Sequence, residues 1–152
     1  MLYVLGRVPN STSWEPLGHP DHPAPVPGVV VVQLVAPLYY ANAELVRTEI
    51  RAATMAPTGV ASAGAGSTGA ASAVTGGRAL VLDADAVSDI DFTGIAMLRS
   101  LLDELDHAGV KVAIARAVGD VPNNLARSWL LPRLAGNRVY GTVNDAVAAL
   151  TT

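Results

Sequence analysis

Residues 29–35 read Val-Val-Val-Val-Gln-Leu-Val. Such a run lacks the in–out alternation of a strand with one wet face and suits a strand buried on both faces. A strand covered on both sides calls for parallel neighbours reached through crossover helices. The remaining sequence supplies that alternation. Asn42 can N-cap a helix running to about Met55, with Leu45, Val46, Ile50 and Ala53 inward at helical spacing. Residues 79–82 form a short apolar strand. Thr93 stands as N-cap of a helix over residues 94–107, whose buried stripe is Ile95, Leu98, Leu101, Leu102 and Leu105. Arg99, Asp103, Glu104 and Asp106 fall on its opposite side. Gly109 fits the left-handed stop after that helix. A strand over Lys111–Ala115 follows, then a short helix with Pro122 in its first turn, anchored by Leu125 and Trp129. Val139 and Tyr140 make an edge strand, and Thr142 with Asp145 opens a final helix over residues 143–150.

With a further strand over residues 2–8, this order predicts an α/β fold with a small, mostly parallel or mixed sheet and helices mainly on one face. A chain of 152 residues suits one domain. Two stretches stand apart. Residues 10–28 are a proline-rich connection, with Pro25 and Pro27 favouring extended backbone. Residues 57–77 are almost all Gly, Ala, Ser and Thr and are expected to be a flexible insertion inside that single domain.

Composition narrows the function classes. Apolar types make up 51% and charged types 15%, which excludes a disordered polyampholyte. The longest apolar stretch, residues 29–41, is broken by Gln33 and Pro37 and falls short of the ~20 residues of a membrane span. No basic segment precedes an apolar one, so a secretory signal is not expected. The net charge of −3 without a dense basic patch argues against nucleic acid as a partner. There is no cysteine, and His19, His22 and His107 are scattered, so no metal site is expected. Trp14 reads as a pin for the proline-rich connection. Tyr39 and Tyr40 read as core or rim, and Glu44, Arg47, Thr48 and Arg51 as a solvated helix face.

The one polar cluster is Asp83, Asp85, Asp89 and Asp91, at the carboxyl end of a strand where open α/β sheets place their sites. As a calcium loop these are positions 1, 3, 7 and 9, but Ser88 replaces the turn glycine and Gly94 the bidentate glutamate. The segment Ala79-Leu80-Val81-Leu82-Asp83-Ala84-Asp85 resembles the first motif of haloacid-dehalogenase-type phosphatases. Asp83 would then be the nucleophile and Asp85 the general acid. The domain that normally separates that family's motifs is missing before Lys111 and Asp120. Without ligands, Asp91 reads as a helix cap that complements the macrodipole, and Asp83 and Asp85 as loop and turn residues.

The segment Asp91-Phe92-Thr93-Gly94, between a strand and an amphipathic helix, resembles the Asp-x-Ser/Thr-Gly loop of the STAS domain. That domain occurs in anti-sigma-factor antagonists and in sulfate-permease-type anion transporters. Leu5-Gly6-Arg7-Val8-Pro9-Asn10 is similar to the stretch that joins permease membrane helices to the domain. Pro27-Gly28-Val29-Val30 followed by Ala36-Pro37-Leu38-Tyr39-Tyr40-Ala41-Asn42-Ala43 is similar to the transporter branch, with Gln33 in place of its usual arginine and Tyr40 of its phenylalanine. Arg138 to Val147 resembles that branch's closing strand and helix.

This resemblance implies a STAS-type fold and a regulatory, non-enzymatic domain on the cytoplasmic face of a sulfate or other small-anion transporter, excised here from a longer protein. It implies the transporter's own membrane domain as partner, dimerisation through the full-length protein, and Asp89, Asp91, Thr93 and Gly94 as a ligand or partner loop. Phe92 takes the position that a kinase phosphorylates in the antagonists and has no hydroxyl. Thr93 has one, but Asp89 and Asp91 oppose a phosphate there. A free-standing antagonist is the alternative that this position argues against. Free N–H groups at Thr93 and Gly94 would suit an anion or phosphate. Nucleotide and acyl carrier protein are further partners implied by resemblance. A phosphate loop is lacking, since Gly76-Gly77-Arg78 precedes a strand instead of following one.

Overall fold

The computed structural model describes residues 2–55 and 78–151. The stretch expected to be a flexible insertion lies outside the described residues. The elements are β1 (Leu2–Arg7), β2 (Trp14–Pro16), β3 (Val29–Leu34), α1 (Ala43–Met55), β4 (Ala79–Asp83), α2 (Phe92–His107), β5 (Lys111–Ala115), α3 (Val121–Arg127), β6 (Val139–Tyr140) and α4 (Val143–Thr151). They build one mixed sheet in the order β2-β1-β3-β4-β5-β6. β3, β4, β5 and β6 run parallel, and β1 and β2 are antiparallel additions at the β3 edge.

Side-chain parity explains the valine run. Val32 and Leu34 with Leu80, Leu82, Val112 and Ile114 face α1, α2 and α3. Val29 and Val31 with Ala79, Val81, Ala113 and Ala115 face α4, through Val143, Ala146 and Val147. Three helices therefore cover one face and a single short helix the other, so β3 meets apolar side chains on both sides. The second face is lined with alanine and valine, which lets α4 lie close to the strands. In a chain with 26 alanines this places several where a larger side chain would separate the layers. On α2 the stripe is as the spacing predicts, with Met97 buried beside it. Each fully buried leucine there, such as Leu101 or Leu105, contributes roughly 1.5–3 kcal/mol of hydrophobic stabilisation.

Several expectations are corrected. The buried stripe of α1 is Ala43, Val46, Ile50 and Thr54, and Leu45 is 59% exposed. Both sets fit a helical period and share Val46 and Ile50. Tertiary packing selects the one in which Thr54 can bury its hydroxyl by donating to the Ile50 carbonyl at 2.7 Å. Arg47 and Arg51 are not a solvated pair, because both reach Glu104 of α2, with Arg51 Nε at 3.1 Å. Asn42 does stand at the N-cap position of α1, its carbonyl accepting from the Val46 N–H at 2.9 Å. Its side chain, however, holds the preceding turn: its Oδ1 accepts from the Tyr39 N–H at 3.0 Å and its Nδ2 donates to the Pro37 carbonyl at 2.7 Å. The proline-rich connection contains β2, and Trp14 fixes it to α4. The indole N–H donates to Asn144 Oδ1 at 2.9 Å while the Arg7 guanidinium lies 5.0 Å from the ring centroid.

Trp129 does not anchor the core; it is 81% exposed. The reason is the way α3 ends. Trp129 N–H donates to the Ala126 carbonyl and Leu130 N–H to the Leu125 carbonyl, with φ +59° at Trp129. This is the Schellman ending, whose left-handed position favours glycine. α2 ends in the same way, with Gly109 at φ +75° and Val110 N–H donating to the Leu105 carbonyl. At α3 the buried anchor is Leu130, and the left-handed residue points outward.

Ile50→Ala should lower the unfolding free energy by about 2–5 kcal/mol, as expected for truncating a buried isoleucine. Leu45→Lys should change it by less than about 0.5 kcal/mol, as at an ordinary surface position. Urea unfolding of the two variants checks the assignment of the α1 face.

Candidate functional site

Two loops leave the carboxyl ends of adjacent parallel strands, residues 35–42 after β3 and residues 84–91 after β4, and they are tied together. Leu38 and Ile90 form a parallel β-bridge. Leu38 N–H donates to the Asp89 carbonyl and Asp91 N–H to the Leu38 carbonyl, both at 3.0 Å. The Leu38 and Ile90 side chains are buried beneath this bridge.

Asp91 is the centre of the arrangement. It is the N-cap of α2, with extended backbone at φ −88° and ψ 179°. Its Oδ1 accepts from the Gly94 N–H at 2.7 Å and its Oδ2 from the Tyr40 N–H at 3.0 Å. One carboxylate thus starts the helix and holds the other loop. Thr93, expected as the cap, is the second residue of α2 and is exposed. The cap falls to Asp91 because its extended backbone places the carboxylate over the helix end three residues on. Gly94 has a steric reason to be glycine: a Cβ there would overlap the Leu38 carbonyl oxygen and come within 2.8 Å of Ile90 Cγ1.

Asp89 completes the loop. Its Oδ1 accepts from the Ile90 N–H at 2.8 Å, and its Oδ2 from the Tyr39 hydroxyl at 3.3 Å. The Tyr39 phenol is held above its usual value, first by loss of solvent and then by the Asp89 carboxylate. Phe92 projects into solvent at 87% exposure, and Tyr40 at 79%. Because Asp91 already takes the Gly94 N–H and puts its own negative charge at the positive end of α2, the chain answers that helix dipole internally. Of the two N–H groups expected to suit an anion, at Thr93 and Gly94, the Gly94 one is therefore taken by Asp91.

The four aspartates do not converge. Asp83 ends β4 and is fully buried, so it is neither a loop residue nor an open nucleophile. Its Oδ1 accepts from Arg116 Nε at 2.9 Å and from the Asp85 N–H at 3.2 Å, and its Oδ2 pairs with Arg116 Nη2. Arg116 follows β5 with a left-handed backbone, φ +58°, and also lies 3.7 Å from Asp85. Hydrogen bonding to Asp83 holds the guanidinium above even its usual high value. Fully buried and paired with Arg116, the Asp83 carboxylate is not presented to a phosphoester. Among the described residues no three acidic or imidazole side chains are grouped to hold a metal ion. Arg116 was missed in the sequence; its one signal is its place directly after a strand, opposite Asp83 at the end of the neighbouring strand.

Asp91→Ala should cost about 0.5–2 kcal/mol, as for loss of a helix cap, and Thr93→Ala should be nearly silent. Arg116→Ala should cost about 3 kcal/mol, near the lower limit for breaking a buried pair, because the guanidinium is partly in solvent. Chemical denaturation of the three variants tests these roles.

Comparison with known proteins follows the same segments. The model of the STAS domain matches residues 24–146. Sulfate transporter 3.2 of Arabidopsis thaliana is 28% identical over 149 residues, which cover 97% of this chain and 22% of the transporter. A probable sulfate transporter of Mycobacterium tuberculosis is 30% identical over 146 residues, covering 96% of this chain and 23% of that protein. The chain thus spans about a fifth of the length of these relatives. The murine anion transporter solute carrier 26 family member A9, solved in the inward-facing state, superposes with a TM-score of 0.75 at 24% identity, over 99% of this chain and 22% of that one. The family match spans residues 24–146, most of the chain, and the chain belongs to the STAS domain family.

Proposed function

We propose that this chain is the STAS domain of a sulfate or other small-anion transporter, acting as a regulatory and docking module on the cytoplasmic side of the membrane. The observation that carries this reading is alignment of nearly the whole chain with a fifth of a sulfate transporter. No helix among the described residues is long and apolar enough to cross a membrane, so any translocation would belong to another part of such a protein. The role open to this domain is to bind, and its two latched loops offer a stiff surface for that. The partners proposed are the transporter's own membrane domain and, through it, a second copy of the protein. Nucleotide and acyl carrier protein rest on family resemblance alone.

The same site disfavours a phosphorylation switch. Phe92 has no hydroxyl, and the exposed Thr93 follows two residues after the Asp91 cap, whose negative charge at the same helix end would oppose a phosphate.

An antibody raised against residues 2–55 should detect, in native cells, a membrane-fraction protein several times heavier than the 15.6 kDa of this chain. Deleting the segment from that protein should reduce radiolabelled sulfate uptake. A soluble band at the mass of the chain alone would overturn the transporter reading.

A further inference from the structure

A cleft of about 450 Å³ opens between the first turns of α2 and the end of α3. Its lips are Phe92 and Trp129, the two most exposed large apolar side chains among the described residues. Ile95 lies between them, and Arg99 and Arg127 line the side toward α3. The chain is acidic overall, yet neither guanidinium pairs with a carboxylate among the described residues. Arg99 donates to the Ser128 carbonyl at 2.8 Å, and Arg127 forms no ion pair among the described residues. The one acidic group of the lining, Asp91, keeps its charge but is directed to the Gly94 and Tyr40 amides instead of to either arginine.

The two helix endings sharpen the point. Both α2 and α3 close with a left-handed residue, and α2 uses Gly109 there. At the end of α3 the fold needs only that backbone conformation, which glycine adopts at least cost. The chain instead places a tryptophan there, pointing into solvent beside a second exposed aromatic ring. Packing of the domain gives no use for that side chain. A partner surface does: exposed aromatics flanked by arginines match the residue types that dominate protein–protein contacts.

We propose that this cleft docks an acidic amphipathic segment of a partner protein. Apolar side chains of the segment would enter between Phe92 and Trp129, and its carboxylates would pair with Arg99 and Arg127. The charge decides the class of partner: two guanidiniums outnumber the one carboxylate of the lining, Asp91, and lie beyond it on α2 and α3, so that side of the cleft favours carboxylates over a basic segment. The cleft size lies within the ~300–1,000 Å³ range of pockets that hold a few side chains or a small ligand. The proposal concerns the isolated chain and holds whether or not the transporter reading does.

The test uses the 152-residue chain labelled with ¹⁵N. It is titrated with a synthetic helical peptide carrying leucines at i, i+3, i+4 and i+7 and glutamates between them. The same peptide with lysines for glutamates, inorganic phosphate, and unlabelled chain serve as comparisons. The expected result is a saturable shift of the Trp129 indole signal with the glutamate peptide and none at the Trp14 indole. Arg127→Glu should weaken that binding at least tenfold. Trp129→Gly removes the indole reporter, so binding by this variant is read at the backbone amides of Phe92, Ile95 and Ser128. Their shifts with the glutamate peptide should be lost while the fold stays intact, since glycine suits the left-handed position. Equal response to both peptides, no response, a response to phosphate or to a second copy alone, or unchanged binding by Arg127→Glu would each overturn the proposal.

Discussion

The bridge between Leu38 and Ile90, fastened by Asp91, is the interaction on which the working end of this domain depends. Strands β3 and β4 lie side by side, but the loops that leave them would diverge without it. Two backbone hydrogen bonds join the loops, and one carboxylate adds two more, to Tyr40 on one side and Gly94 on the other. Buried leucine and isoleucine side chains beneath the bridge exclude water from it. Close approach of the Leu38 carbonyl to α2 then demands a residue without a Cβ at position 94. The Asp-x-Thr-Gly segment is therefore first a mechanical fitting. Its aspartate and glycine set how the helix meets the neighbouring loop, and its two middle side chains are left facing outward.

A second fastening lies along the same sheet edge. Asp83 and Arg116 close the ends of β4 and β5, with the acid fully buried and the base partly in solvent. Such a pair adds little net stability compared with an apolar one, but losing one partner strands a buried charge. Its consequence is geometric: it fixes the ends of the strands from which the loops depart. Together the two fastenings join the loops to each other and to the strand ends from which they leave.

Much of this was legible in the sequence, for physical reasons. The valine run forecast a strand covered on both faces because no other environment accepts it. The α2 stripe is long enough that only one face can be buried, and Gly109 marks a stop that few other residues tolerate. The misread positions are those where two local patterns compete. Leu45 and Ala43 both fit the α1 period, and only the neighbouring layers choose between them. Thr93 and Asp91 are both good caps, and the choice depends on where the chain turns after Ile90. Trp129 resembled a core anchor because its composition is apolar, whereas its backbone position sends it outward. The pairings of Asp83 with Arg116 and of Asp91 with Tyr40 join residues far apart in sequence, and no periodicity announces them.

If the two loops are one latched unit, amide hydrogen exchange shows it directly. The N–H groups of Leu38, Tyr40, Asp91 and Gly94 should exchange as slowly as those of the central strands, although three of them lie outside regular structure or at its margin. Replacing Asp91 with alanine should release Tyr40 and Gly94 together. Fast exchange of these amides in the unaltered protein, or a Tyr40 amide indifferent to that substitution, would contradict the account.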